Sequence, residues 1–415
     1  MTKKTVIIGG GLSGLSAAYF LQEKGTDFLL YEAEERFGGL CKTEVSENGF
    51  FYDYTGHLLH FKDPEIKSLV LDDLLKSNVA SHERKSFIYL KKRYIKYPFQ
   101  KNLYRLPFFI KLECFLGYLF RQKKEGEFLK NWSLSNFGKG ISKYFMIPYN
   151  EKLWQLGADK MTTSWMKGFV PKPSFKEVFN STFFDAKDDV GYNASFYYPK
   201  KGGIQALIDG FVAKLPIEKL LNNTKITEIY LKNMDPIIST IPLKTLVLDV
   251  IKDADEKIIE KAKKLQANFV LNVNIGTRTK ITDKHWVYFP EDDFIFYRIG
   301  FINNFSESMT PNLEYGSIYT EIASKKEPIA DLEKRVIADL IKAGIIESLE
   351  DVVDIKTLKL ENAYVNYDQN RDEIVAEILE YLKAHNIYSI GRYGRWEYSA
   401  MEDAILEAKE CVLRF

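Results

Sequence analysis

Gly9, Gly11 and Gly14 stand at the spacing G-x-G-x-x-G, directly behind the apolar run Thr5-Val6-Ile7-Ile8. Each glycine answers a separate physical need. The first permits a tight turn, the second lets a pyrophosphate approach the backbone, and the third lets a helix pack closely on the strand. The helix that follows would offer free N–H groups and the positive end of its dipole to phosphates. Glu32 closes the next apolar run, Phe28-Leu29-Leu30-Tyr31, at the separation where a carboxylate accepts from ribose hydroxyls. Together these residues support capture of a dinucleotide.

The other side chains able to do chemistry are aromatic or cationic and scattered. Arg298 lies among Phe294, Ile295, Phe296 and Ile299, a setting in which a lone guanidinium is costly. It must either pair with a buried acid or grip a phosphate with its planar fork. Tyr149 and Trp154 can stack on the faces of a pyrimidine, or pack along a helix face. Tyr364 and Tyr398 carry phenols that can donate to phosphate oxygens or serve the core. His57 follows Gly56 on a predicted loop and either makes a structural hydrogen bond or faces a ligand; His60 reads as structural.

Several chemistries are excluded. The three cysteines, Cys41, Cys114 and Cys411, form no metal spacing and no disulfide framework, which favours a reducing compartment. None of the five histidines makes an HxxxH pair, so no metal site and no zinc hydrolase are expected. A formal charge of +1 gives no global field for nucleic acid, so an anionic ligand must be held by locally placed cations. Aromatics at 14% suit an enzyme that encloses a large planar ligand.

Elements must position these groups. At roughly 150 residues per domain, the 415-residue chain predicts about three units. The first forty residues read as strand, glycine turn, helix (residues 13–24) and strand, a βαβ opening that implies a buried parallel sheet. Residues 64–166 read as mainly helical. Strands are expected at 195–199, 225–230, 237–240, 269–275, 286–289, 294–301 and 315–320. Helices are expected at 204–215, 330–343 and 371–384, and the chain ends strand, glycine turn, helix, with that last helix at 401–412. The predicted fold is α/β: a discontinuous Rossmann-like domain (residues 1–63, 200–245 and 385–415), an inserted helical lid (64–170), and an antiparallel sheet with helices (171–199 and 246–384). The apolar stretch 106–120 is broken by Lys111 and Glu113, too charged for a comfortable transmembrane span, and is expected to pack as lid core. Lys3-Lys4 leads straight into the first strand, so no signal peptide is expected and the protein is read as cytoplasmic.

Arg36-Phe37-Gly38-Gly39 resembles the extended fingerprint of FAD enzymes of the amine oxidase superfamily. In that class the last helix, here beginning at Met401, points its positive end at the flavin pyrimidine edge. More specifically, the chain resembles the UDP-galactopyranose mutases. Gly391-Arg392 followed by Trp396, Tyr398 and Met401 is similar to their C-terminal signature. Tyr149-Asn150-Glu151-Lys152-Leu153-Trp154 resembles their uridine-binding stretch, and Phe296-Tyr297-Arg298 the segment with a diphosphate-binding arginine. Ala363-Tyr364-Val365-Asn366 resembles their tyrosine segment near the sugar diphosphate, and Tyr52-Asp53-Tyr54-Thr55-Gly56-His57 their Gly-Gly-His loop beside the flavin. Tyr198-Pro199-Lys200-Lys201-Gly202-Gly203 is a match shared with the wider superfamily.

The resemblance implies interconversion of pyranose and furanose forms of a UDP-linked, or other NDP-linked, sugar, with attack by reduced-flavin N5 on the anomeric carbon. His57 and Arg298 would be catalytic. Gly9, Gly11, Gly14, Glu32, Gly38, Gly39, Gly56, Arg392 and Met401 would hold FAD. Tyr149, Asn150, Trp154, Lys167, Tyr297, Arg298, Tyr364 and Tyr398 would hold the nucleotide sugar. NAD(P)H would reduce the flavin from outside, the protein could form a homo-oligomer, and the setting would be cell-surface polysaccharide biosynthesis. Two departures stand out. The second cation that the mutases carry on a mobile flap falls on Gly168, next to Lys167, and the Gly-Gly-His loop has Thr55 for its first glycine. The rival reading is an FAD-dependent amine oxidase or desaturase, which shares the N-terminal fingerprint but does not need Arg298, Tyr149, Trp154, Tyr364 and Tyr398 together.

Overall fold

The opening strands Thr5–Ile8 and Phe28–Tyr31 are largely buried, as parallel strands covered by helices must be. In this computed structural model, which describes residues 4–166, 170–184, 195–232, 235–326 and 329–414, they pair in parallel with Val6 beside Leu29. Three strands from distant parts of the chain complete the sheet. Its order is Ile387–Ser389, Ile237–Ser239, Thr5–Ile8, Phe28–Tyr31, Leu220–Leu221, all parallel. The helices Leu12–Glu23 and Met401–Val412 pack on one another beside it, joining the two ends of the chain. The Rossmann-like domain is discontinuous, as expected.

A second sheet of seven strands runs Val352–Val365, Ala267–Thr277, Gly316–Ser324, Arg298–Phe301, Trp286–Tyr288, Ser86–Leu90, Arg93–Lys96. It is antiparallel except where Trp286–Tyr288 meets Ser86–Leu90. Arg298 and Tyr288 are register partners, as are Arg298 and Glu321.

Three sequence expectations need correction and one strand lies outside them. Residues 79–96 are strands, not helix, because their β-branched and aromatic residues find partners on distant strands. The stretch 225–230 is not a strand; only Ile229 makes an isolated bridge, to Ile251. Val352–Val365, the longest strand, went unpredicted because lysines and Glu361 interrupt its apolar pattern. Finally, the stretch 106–120 packs as lid core on one face only: Leu106, Cys114 and Tyr118 are buried with Ile110 and Phe115 against them, whereas Phe108, Phe109 and Phe120 are exposed.

Candidate active site

Turn geometry at the first helix leaves room for a cofactor. Gly9 has φ +100°, and a Cβ on Gly14 would lie 1.9 Å from the Gly9 carbonyl oxygen, so both positions require glycine. Gly11 is different: its missing Cβ would point into the gap facing Gly38 and Gly39, with the Gly39 Cα 3.7 Å away. The helix Leu12–Glu23 has no acidic residue in its first turn and no side-chain cap. Its positive end therefore stays open to an anion. Glu32 accepts from the Gly10 N–H at 2.6 Å and the Glu34 N–H at 2.9 Å, which fixes its carboxylate at the end of the second strand with lone pairs to spare. These residues fit the pyrophosphate and ribose of a dinucleotide.

Arg298 resolves the alternative posed by its setting. Its Nε and Nη2 donate side-on to Glu321, each at 2.7 Å, and the Glu321 side chain is 0% exposed. The arginine is 22% exposed, so its opposite edge stays open. Burial pushes its pKa down, and Glu321 together with the Tyr319 and Tyr364 phenols more than offsets that. Burial raises the phenols of Tyr149, Tyr288, Tyr319 and Tyr364, and the Arg298 charge opposes the rise in all four. His57 sits within reach of both Arg298 and Arg392. Burial first, and the charges of Arg392 and Arg298 with it, push its pKa down to about 4 against a backbone hydrogen bond with Thr55, and its Nδ1 is buried without a partner among the described residues. The imidazole is neutral at physiological pH. Gly56 is required because a Cβ there would lie 2.3 Å from the Tyr319 hydroxyl. Thr55 adopts φ +84°, a left-handed conformation that favours glycine.

An aromatic wall adjoins this cation. Tyr149 stacks on Phe145 at 5.3 Å and meets Tyr288 and Tyr297 edge-on. Trp154 is 1% exposed and is packed among Trp165, Tyr364, Tyr367 and Tyr398. Its indole N–H and the Tyr297 hydroxyl are buried and unpartnered among the described residues. Asn150 instead donates to the Met146 carbonyl at 2.7 Å, within its own helix. Tyr364 and Tyr398 stack at 6.0 Å, and the Arg392 guanidinium lies over both rings. Arg392 is held by the carbonyls of Ser399 and Ala363 at 2.9 and 3.0 Å. Met401 begins the last helix, with its sulfur 3.8 Å from Cys41. Lys167 and Gly168 lie outside the described residues.

Sequence reasoning missed several residues that set this geometry. Glu321 orients Arg298. Asn268 accepts from the Tyr364 N–H and donates to the Leu153 carbonyl, tying the strand that carries Tyr364 to the helix that carries Trp154. Asp53 accepts from Tyr198 and Thr43 at 2.6 and 2.7 Å and anchors the strand that leads into Thr55–Gly56–His57. Burial pushes the Asp53 carboxyl up to about 6. All three act across contacts between distant segments, which a single sequence does not display.

Comparison with known proteins bears on what this arrangement is for. Residues 7–74 match the NAD(P)-binding Rossmann-like domain. A solved structure of reduced UDP-galactopyranose mutase superposes with a TM-score of 0.89 at 26% identity, covering 99% of this chain and 93% of that one. The fold is that of UDP-galactopyranose mutase. Cyclohexylamine oxidase from Brevibacterium oxydans superposes less well, with a TM-score of 0.68 at 12% identity over 100% of this chain and 98% of that one, and shares the fold alone. Among curated proteins, protoporphyrinogen oxidase 2 of Arabidopsis thaliana is 38% identical over 94 residues, 22% of this chain and 17% of that protein. A flavin-containing amine oxidase of Oncorhynchus mykiss is 33% identical over 99 residues, 24% of this chain and 19% of that protein. The matched stretches thus span under a fifth of these relatives' length. The chain has the fold of the flavin-dependent oxidases and mutases, and that fold implies FAD. The mutase-like match extends over the whole chain, including the strands that carry Arg298 and Tyr364.

Proposed function

We propose that the protein interconverts the pyranose and furanose forms of a UDP-linked sugar, as an FAD-dependent mutase. The carrying observation is the juxtaposition of Arg298, open on one edge, with the Tyr149–Tyr297–Tyr364 wall, in a chain similar to a mutase along its whole length. Cyclohexylamine oxidase also superposes over the whole chain, but with a lower TM-score, 0.68 against 0.89, and amine oxidation does not call for a guanidinium beside a wall of tyrosines.

In this reading Gly9, Gly11, Gly14, Gly38 and Gly39 admit the FAD pyrophosphate, Glu32 takes the ribose, and Gly56, Arg392 and Met401 border the ring system. Bound and reduced, the flavin supplies the nucleophile at the anomeric carbon. The protein's part is positioning. Arg298 grips the diphosphate with the edge that Glu321 leaves free, which steadies the leaving group as it departs. Phenols of Tyr297, Tyr364 and Tyr398 can donate to phosphate oxygens. Tyr149 offers aromatic surface to the uracil, Trp154, covered by Trp165, Tyr364, Tyr367 and Tyr398, backs the wall from within, and Lys167 remains the flap cation implied by the resemblance. His57, neutral and desolvated, hydrogen-bonds near the reacting centre without adding charge. The aromatic wall excludes water, so hydrolysis of the sugar diphosphate does not compete. NAD(P)H would be the external reductant, and a cytoplasmic role in cell-surface polysaccharide synthesis follows from the same reading.

The experiment is direct. Dithionite-reduced protein is incubated with UDP-galactose and other UDP-hexoses, and the products are separated by chromatography. A furanose product formed only by the reduced protein supports the proposal. No ring-contracted product from any UDP-hexose overturns it.

A further inference from the structure

Arg84 lies in the turn between the strands Val79–Glu83 and Ser86–Leu90 and is 9% exposed. A guanidinium carries five donors and is buried this deeply only where a carboxylate or phosphate answers it. Arg298 obeys that rule through Glu321. Arg84 does not: among the described residues no carboxylate, carbonyl or hydroxyl bonds it, and the guanidinium lies over the Tyr97 ring at 5.1 Å. Tyr97 packs on Tyr288 at 5.1 Å, Tyr288 is the cross-strand partner of Arg298, and Tyr288 meets Tyr149 at 5.2 Å. Both arginines therefore stand on one aromatic floor. Tyr288 lies within electrostatic reach of both charges. With Arg392, the site gathers three guanidiniums among the described residues against the carboxyls of Glu321 and Asp53, the latter already answered by Tyr198 and Thr43, an excess that calls for an anionic ligand.

We propose that Arg84 is a second anion-binding residue of this site. It takes an anionic group that Arg298 leaves free, either the second phosphate of the nucleoside diphosphate or a carboxylate on the sugar. It thereby supplies, from a strand turn of the sheet, a cation that the mutases are expected to carry on the flap, where this chain has Gly168. The identity of the anion rests on the nucleotide-sugar reading; the anion site itself does not.

The test uses the reduced holoprotein and its Arg84→Met and Arg84→Lys variants. Each is titrated with UDP, UMP, UDP-glucose, UDP-glucuronate and inorganic pyrophosphate, and the melting temperature is measured without ligand. Arg84→Met removes an unanswered buried charge, so its Tm should hold or rise, whereas removing a structural arginine would lower it. If Arg84 reads the second phosphate, Arg84→Met weakens UDP and pyrophosphate at least tenfold, leaves UMP nearly unchanged, and the Lys variant falls between. If it reads a sugar carboxylate, the variant instead loses at least tenfold of any preference for UDP-glucuronate over UDP-glucose. Pyrophosphate binding that depends on Arg84, with no nucleotide bound by the wild type, would keep the anion site and reject the nucleotide-sugar reading. Equal affinities of wild type and Arg84→Met for every probe, or no binding of any probe by the wild type, overturns the proposal.

An independent feature lies on the surface. The helix Phe108–Leu119 exposes Phe108 and Phe109 (66% and 82%), and Phe120 follows at 79%. Phe115 packs against Phe179 and Phe183 of the neighbouring helix Phe175–Phe183, which are themselves partly exposed, so the apolar face is continuous. A patch of this kind marks a docking or membrane surface. Residues 101–130 hold seven lysines and arginines against three glutamates, although the whole chain is only +1. Glu113 and Glu125 are already paired with Lys143 and Lys172, while Lys123 and Lys124 are exposed without an acidic partner among the described residues.

We infer that this face rests on an anionic lipid bilayer, its phenylalanines in the headgroup boundary and its lysines on the lipid charges. Charge complementarity selects this occupant over a second copy, whose own cations would accompany the same face across a two-fold axis. Among the described residues no helix is long and apolar enough to cross a membrane, so the contact would be superficial. Cosedimentation with phosphatidylglycerol vesicles, and none with phosphatidylcholine vesicles, is expected, lost in the Phe109→Glu/Phe120→Glu double variant and reduced severalfold in Lys123→Glu/Lys124→Glu. Failure of the wild type to bind anionic vesicles, or a dimer in sedimentation equilibrium that the phenylalanine variant dissociates, would overturn it.

Discussion

At the scale of single residues, Arg298 has two tasks that its substitution will not separate. Arg298→Ala removes the proposed diphosphate contact and also strands Glu321 in the core with nothing to answer its charge. Breaking a buried pair from one side costs about 3–5 kcal/mol of stability, and loss of the charge-assisted contact should weaken UDP binding by about 2–4 kcal/mol. Adding Glu321→Leu should restore much of the lost melting temperature but none of the UDP binding. If Arg298→Ala alone melts like the wild type, the pair is not what holds Glu321. Thr55 offers a cleaner case. A β-branched residue at φ +84° is strained, so Thr55→Gly should stabilise the folded protein by about 1 kcal/mol in chemical denaturation. A loss of stability there would mean the threonine makes contacts that outweigh its backbone. The need for a partner at Arg298 was legible from its apolar neighbours. The partner was not, because Glu321 lies 23 residues away on the adjoining strand and only the register of that sheet brings them together.

At the scale of elements, the parts that followed a simple period were legible and those whose pattern depended on distant partners were not. The glycine turn, the helix Arg371–Ala384 and the last helix Met401–Val412 fall where periodicity and glycine placed them. Strands at 79–96 read as helix because their cover comes from the remote strands Trp286–Tyr288 and Ser195–Pro199. One interaction between elements has a pH consequence. Gly391 has φ +78° and faces Ser13, next to the glycine turn, so that a Cβ there would lie 2.2 Å from the Ser13 Oγ, and its N–H donates to Glu407 of the last helix at 2.7 Å. Burial lifts the Glu407 carboxyl to about 7, with Arg395 and the Gly391 N–H pulling the other way. A carboxyl raised from about 4.5 binds its proton more tightly when folded, so its contribution is fully present below pH 4.5 and is lost as pH rises through about 7. Glu407→Gln removes that slope. Relative to the wild type, the variant should gain up to about 3 kcal/mol of stability between pH 5 and pH 8, measured by denaturant titration. The comparison cancels the opposite trend of His57 and His60, both pushed down to about 4 by burial, whose contribution is lost as pH falls from 6.5. A variant that instead loses ground with rising pH would show that Arg395 holds Glu407 ionised.

At the scale of the whole molecule, the parallel sheet supplies a dinucleotide cradle and the seven-stranded sheet supplies cations and aromatic rings, a division that suits a reaction with no net oxidation. Nothing in the described site resembles a nucleophile of the protein's own: Cys41 is buried with its thiol pushed up to about 12, and the His57 imidazole, pushed down to about 4 by burial, is neutral. The described residues also hold no group of histidines, cysteines and carboxylates suited to a metal ion. In the proposed reading the chain offers a grip on a departing diphosphate, which an exchange at the anomeric carbon needs and an amine or porphyrinogen oxidation does not. The two readings differ in their electron balance. An isomerisation returns its electrons each cycle, whereas an oxidase passes two from every substrate to oxygen. Anaerobic protein reduced once with dithionite should therefore carry out many turnovers of a UDP-hexose without further reductant, and the flavin absorbance should stay that of the reduced form throughout. On admission of air, turnover should stop as the flavin reoxidises, with peroxide limited to roughly one equivalent per flavin. Peroxide that accumulates in proportion to the substrate consumed would place the protein with the oxidases and leave Arg298 as a structural partner of Glu321.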